Sequence, residues 1–220
     1  MSLSMHSASV PAFVGMLKNM VVWLDKAQAH AEARKFDTAN YLGLRLAPDM
    51  LPFTRQVQIC TDGAKGCVAR LAGLEPPKWE DNEATLDEVR ARVQKTIDYA
   101  LSVPAAQIDG SEAREILLPT RSGEPRRFTG ESYLLNFVLP NFYLHATTTY
   151  ALLRHAGVDV GKKDYLGLEE PSRVLAALRA RRQRISAAPP GSWTWLLAGR
   201  CAWQARARLW ATSPPRSARL

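Results

Sequence analysis

The sequence predicts an all-α protein, a four-helix bundle with a small β-hairpin inserted before the fourth helix. Three observations predict it. Four segments repeat apolar residues at three- and four-residue steps, the spacing of one buried helical face. Their connections are modest, and no strand–helix alternation supports a parallel sheet. A short apolar run, Ile116-Leu117-Leu118, and the turn Arg121-Ser122-Gly123-Glu124-Pro125 interrupt the helical texture before the fourth segment.

The first segment is expected over about Ser9–His30. Val10, Phe13, Val14, Leu17, Met20, Val21 and Leu24 form its stripe, and Pro11 is tolerated in the first turn. The stretch from Ala31 to Arg45 reads as a link. The second segment is expected over about Pro48–Leu71, with Pro48 in its first turn. Its seam is Met50, Phe53, Val57, Cys60, Ala64, Cys67 and Leu71, and Gly73, Pro76 and Pro77 stop it. The third opens on Thr85-Leu86-Asp87-Glu88, a capping box, and continues through Val89, Val93, Ile97 and Ala100 to Pro104. Arg126-Arg127-Phe128-Thr129 supplies the return strand of the hairpin. The fourth helix is expected over Gly130–His155, capped by Thr129, kinked at Pro140 and stopped at Gly157. Leu134, Leu135, Phe137, Val138, Phe142 and Leu144 predict that much of its girth is buried. The residues from Gly161 to Gly167 read as a closing loop.

Composition narrows the class. The chain has 220 residues, 46% hydrophobic and 23% charged, which is ordinary for a globular protein. No uninterrupted apolar run reaches the length of a membrane span, and the N-terminus does not read as a secretory signal. Three cysteines, an odd number, fit a reducing compartment. A soluble, cytoplasmic protein is the expectation. The net charge of +8 belongs to one end. Residues 1–167 carry 19 basic and 19 acidic side chains, so the body gives no support for nucleic-acid binding. Residues 168–220 carry ten Arg, no Lys and two Glu.

Phosphate-cradling loops, hydrolase elbows, HExxH and CxxC are absent from the sequence. Of four histidines, His145 draws attention because Asn141 lies one helical turn before it, on the same face. Beside Pro140 the two define a polar pocket at the bundle axis. The plainer reading, a core histidine hydrogen-bonded to a neighbouring helix, is preferred on residue type alone. His155 sits where a helix C-terminus favours an imidazole. On the second helix, Gln56 flanks the seam and Asp49 sits near the start; residues of this kind more often lie at a rim. Cys60 and Cys67 read as core packing.

The fourth-helix text is distinctive: Tyr133-Leu134-Leu135-Asn136-Phe137-Val138-Leu139-Pro140-Asn141-Phe142-Tyr143-Leu144-His145, then Tyr150 to Val158 and Gly161-Lys162-Lys163-Asp164-Tyr165-Leu166-Gly167. With Arg45 to Met50, Arg55-Gln56-Val57-Gln58, Asp62 and Met16 to Met20, it resembles a domain-of-unknown-function branch of the DinB-like (YfiT-like) metalloenzyme superfamily. The resemblance covers about residues 3–167. It implies an up-down-down-up bundle, often a homodimer, and in better-known relatives a divalent metal on three histidines, two of them four residues apart on the fourth helix. Some of those relatives are thiol-dependent transferases or hydrolases. This sequence departs from that set: Asn141 stands one turn before His145, and no histidine lies between His30 and His145.

The expected function is a small-molecule-binding or degenerate enzyme scaffold, with Asp49, Gln56, Asn141 and His145 around the ligand and no cofactor. One alternative is a hydrolase or transferase holding a divalent metal such as zinc or nickel on His145, Asn141 and Asp49. The other is a dimeric interaction module without catalysis. The body is residues 1–167. The extension, 168–220, holds four of the six tryptophans and reads either as a basic, aromatic segment for anionic membranes or nucleic acid, or as non-native, disordered text of the kind a GC-rich gene yields in the wrong frame. The second reading is preferred.

Overall fold

A computed structural model of the chain describes residues 3–120 and 123–168. Four long helices dominate it: α1 (Met5–Arg34), α3 (Phe53–Leu71), α4 (Leu86–Ser102) and α7 (Leu139–His155). Short helices punctuate them: α2 (Ala39–Leu42), α5 (Ala105–Ile108), α6 (Gly130–Ser132) and α8 (Lys162–Leu166). Strands β1 (Glu115–Leu118) and β2 (Arg126–Thr129) pair antiparallel, with Ile116 opposite Phe128. The unit ends at Leu168. The Arg- and Trp-rich extension lies outside the described residues.

Helix α1 outruns its expected bounds because Ser4 caps it with Ser7 in a reciprocal capping box. By length and hydropathy alone this helix would qualify as a membrane span. Here its stripe of Phe13, Leu17, Met20, Trp23 and Leu24 is fully buried, packed chiefly against α4, α8 and α7. Phe13 meets Phe142 edge-on at 4.9 Å, and Trp23 stacks on Tyr165 at 5.6 Å. The Trp23 indole N–H donates to the Asp164 carbonyl at 3.2 Å, and Lys26 pairs with the Asp164 carboxylate. These contacts turn the expected closing loop into helix α8.

Helix α3 starts five residues later than the sequence suggests. Pro52, extended at φ −71° and ψ 165°, is the residue before its first turn. A helix begun at Pro48 would place Pro52 inside it, without an N–H and with its ring against the carbonyl of residue 48. Pro48, Asp49 and Met50 therefore lie in the preceding loop, and Asp49 is exposed there. The rest of the expected seam, Phe53 to Leu71, is buried. Helix α4 opens on the Thr85–Glu88 capping box, as its sequence implies.

The fourth helical rod departs from regular geometry where Pro140 predicts a kink. Residues Tyr133–Val138 form a π-helical turn between α6 and α7, closed by the Leu139 N–H donating to the Leu134 carbonyl. Buried positions here fall at Leu134, Val138, Phe142 and Ala146, four apart each time. In an α-helix four residues turn about 400°, so such a stripe drifts by about 40° per step. Widening one turn returns the stripe toward the core. The rod is also less enclosed than its apolar sequence predicts: Leu135 is 45% exposed and Leu144 60%.

Candidate functional site

Helices α3 and α7 face each other along their length, and the residues of interest lie on this seam. Gln56 is buried, and its side-chain N–H donates to the Leu51 carbonyl at 2.9 Å. That bond fixes the amide, so Gln56 Oε1 is left as the acceptor. It lies 2.7 Å from His145 Nδ1. The proton therefore belongs on Nδ1, and Nε2 keeps its lone pair. Burial pushes the His145 imidazole below its usual range, toward the neutral form. The pair is an oriented, uncharged imidazole.

The next rungs diverge from it. The Cys60 thiol points at the Phe142 carbonyl, 3.7 Å away, and burial pushes that thiol far above its usual range. The Asn141 amide sits beside Gly63, 4.0 Å from where a β-carbon would stand. The structure thus joins Gln56 to His145, sets Asn141 further along the same seam, and leaves Asp49 exposed on the loop before α3. Asp49 makes no hydrogen bond or ion pair among the described residues.

Asn141 instead lines an open cleft of about 390 Å³ that the sequence did not reveal. Its walls are Ile59, Leu118, Pro119, Phe137 and Val138, with Asp62, Arg70, Tyr133 and Asn141 as polar members and Gly63 on its α3 side. Arg70 Nη1 donates to the Gly66 carbonyl and to the Tyr133 hydroxyl, both at 3.1 Å. Gly66 is needed there: a β-carbon on it would stand 2.6 Å from that nitrogen. Burial raises the Tyr133 hydroxyl to about 12, partly opposed by the adjacent Arg70 charge, so Tyr133 stays protonated. Phe128, Tyr133 and Phe137 stack or tilt against one another at 5.5–6.0 Å and hold this end rigid. Two glycines three apart inside a helical pattern, Gly63 and Gly66, are the signal that could have drawn attention to this stretch of α3.

A second charged region lies where α3 meets α4. Arg92 is 4% exposed and every one of its guanidinium nitrogens is engaged. Nε donates to Thr61 Oγ1 at 2.9 Å, Nη1 to the Glu80 carbonyl and Glu83, and Nη2 to Asp62 and Asp81. Lys65 pairs with Asp62 at 2.8 Å and lies 4.2 Å from the centre of the Trp79 ring. Gln58 is buried and donates to Glu83 at 2.7 Å. Burial raises the Glu83 carboxyl, but the bonds from Arg92 and Gln58 outweigh it and hold the group below its ordinary range.

A divalent metal can be tested against these donors. The three-histidine set implied by resemblance would need an imidazole where this chain has Asn141 and another on α3, which carries no histidine. His145 is one imidazole whose Nδ1 is already committed, and Asp49, exposed on the loop before α3, makes no hydrogen bond to it. Among the described residues no three His, Cys, Asp or Glu side chains converge. An amide carbonyl is a weak ligand for a borderline metal, so the residues present do not fit that group.

Comparison with known proteins agrees with the fold. The model of a domain of unknown function, DUF1993, matches residues 5–166. A crystal structure of a DinB family member protein from Shewanella denitrificans is 40% identical, with a TM-score of 0.68, over 76% of this chain and 93% of that one. No curated protein matches the chain. The chain therefore belongs to the DUF1993 family of DinB-like proteins of unknown function.

Proposed function

We propose that the chain is a small-molecule-binding bundle that takes its ligand in the cleft between α3 and the π-helical turn. The observation that carries the reading is the make-up of that cleft. Apolar walls surround a few convergent polar groups in a volume suited to a small metabolite. Gly63 clears the α3 side, although a glycine inside a helix costs about 1 kcal/mol relative to alanine. A π-turn forms the opposite side, and such turns recur at functional sites. The oriented His145 imidazole lies on the same seam and is what a degenerate enzyme scaffold would retain.

An up-down-down-up arrangement is part of this reading. Contacts of Gln56 with His145 and of Arg70 with Tyr133 support α3 opposing the fourth helix. Contacts of Phe13 with Phe142 and of Trp23 with Tyr150 support α1 running with it. Asp25 with Arg90, and His6 with Asp109, support α4 opposing α1.

The test is a ligand-observed NMR screen of fragments against the full chain and its Gly63→Leu variant. Leucine is a good helix former, so circular dichroism should be unchanged while the side chain fills the cleft. Fragments bound by the native chain should lose their signal in the variant. Equal binding by both would overturn the cleft as the site.

A further inference from the structure

The cleft has one cationic member without a counter-charge. Arg70 makes its hydrogen bonds through Nη1 alone, to a backbone carbonyl and a tyrosine hydroxyl. No carboxylate among the described residues lies within ion-pairing distance of it. Its Nε–Nη2 edge, the edge whose two N–H groups match the two oxygens of a carboxylate, has no hydrogen-bond partner among the described residues. The Gly66 and Tyr133 contacts meanwhile hold the guanidinium in one place, which lowers the ordering cost of a bound anion.

The one acidic lining residue of the cleft does not compete for that role. Asp62 is engaged at 2.8 Å by both Lys65 and Arg92. At the far end the Asn141 amide, with no hydrogen bond among the described residues, offers a neutral donor and acceptor. Gly63 and Arg70 are seven residues apart on α3, about 10 Å along its axis. The apolar lining of the cleft is Ile59, Leu118, Pro119, Phe137 and Val138. One guanidinium, the sole cation among the lining residues, suits a single negative charge better than a phosphate or a dicarboxylate.

We infer that the cleft binds an apolar-bodied monocarboxylate about 10 Å long, its carboxylate forked onto the Nε–Nη2 edge of Arg70 and its far end beside Asn141. Tyr133 acts here as a positioning residue, and Gly66 admits the arginine to its place. The inference rests on the cleft being the binding site and adds the chemical class of the ligand.

The probe is 2-naphthoate, a rigid aromatic monocarboxylate, set against its uncharged isostere 2-naphthamide. Both are titrated calorimetrically into the full chain and into the Arg70→Gln and Gly63→Leu variants. The expected result is naphthoate binding at least tenfold tighter than naphthamide. That preference should vanish in Arg70→Gln, and both ligands should be lost in Gly63→Leu. Equal affinities of the two probes for the native chain, both lost in Gly63→Leu, would overturn the carboxylate assignment and leave the cleft standing. No binding of either probe, or binding indifferent to Gly63→Leu, would overturn both. The comparison of the two probes on the native chain decides the matter even if Arg70→Gln fails to fold.

Discussion

Two arginines on neighbouring helices are treated in opposite ways. Arg92 on α4 is buried and spends every guanidinium nitrogen on Thr61, Glu80, Glu83, Asp62 and Asp81. Arg70 on α3 is half-buried, touches two neutral oxygens and meets no carboxylate. The first clasps the irregular segment between α3 and α4 onto the bundle. The second is held in position through Nη1 alone, with three of its five N–H donors unspent among the described residues. A saturated cation is a fastener, and an unsaturated one in a cleft is available for recognition.

The comparison breaks most visibly at Arg92. Arg92→Met leaves Glu83 buried beside an apolar group and frees Asp62 and Asp81, which are partly exposed. It should cost about 3 kcal/mol in a urea unfolding titration, the lower end of what breaking a buried charge cluster costs. Arg70→Gln, by the same titration, should cost about half as much, about 1.5 kcal/mol, because its charge-assisted bonds go to two neutral oxygens and no carboxylate is left behind. A loss at Arg70 equal to that at Arg92 would erase the distinction.

The next effect is a pH dependence. Because the Glu83 carboxyl is held low when folded, its contribution is present above the ordinary glutamate range, about 4.3, and is lost as pH falls through the lower folded value. Glu83→Gln should flatten the acid limb of stability against pH, measured by thermal melts from pH 6 downward. An unchanged acid limb would place the sensitive carboxylate elsewhere.

The smallest effect sharpens the contrast from the other side. Gly66→Ala adds a β-carbon 2.6 Å from Arg70 Nη1 and so displaces the far end of a flexible side chain. Helix propensity favours alanine by about 1 kcal/mol. The expected outcome is a melting temperature unchanged or slightly raised, with weakened naphthoate binding. A clear fall in stability would mean that the Arg70 contacts are structural after all.

What could be read from the sequence follows how local each cause is. The α3 seam, the Thr85–Glu88 box and the Ile116–Phe128 strand pair all arise from neighbours or fixed periods, and they were legible. The start of α3 was not, because Pro48 and Pro52 both satisfy the first-turn pattern and only the sterics of having both decides between them. The Arg92 cluster joins residues up to 31 positions apart through an irregular segment, and no spacing rule encodes that. At the site, Gln56 and His145 do meet, because each faces the α3–α7 seam. Asp49 left that face with the shortened helix. Arg70 carried no signal by itself, but the glycines at 63 and 66 could have drawn attention to the stretch of α3 on which it rests.

The π-helical turn also governs where this chain can change length. A turn closed by i→i+5 bonds holds one residue more than the ordinary turn it replaces. Losing a residue within Tyr133–Val138 can be absorbed by tightening that turn, with Phe142, Ala146 and Leu153 still facing inward. Losing one within Leu139–His155 would rotate everything after it by about 100° and expose the core face. Insertions and deletions in this helix are thereby channelled to the wall of the cleft. The lining of the cleft can be reshaped there while the bundle beneath keeps its register.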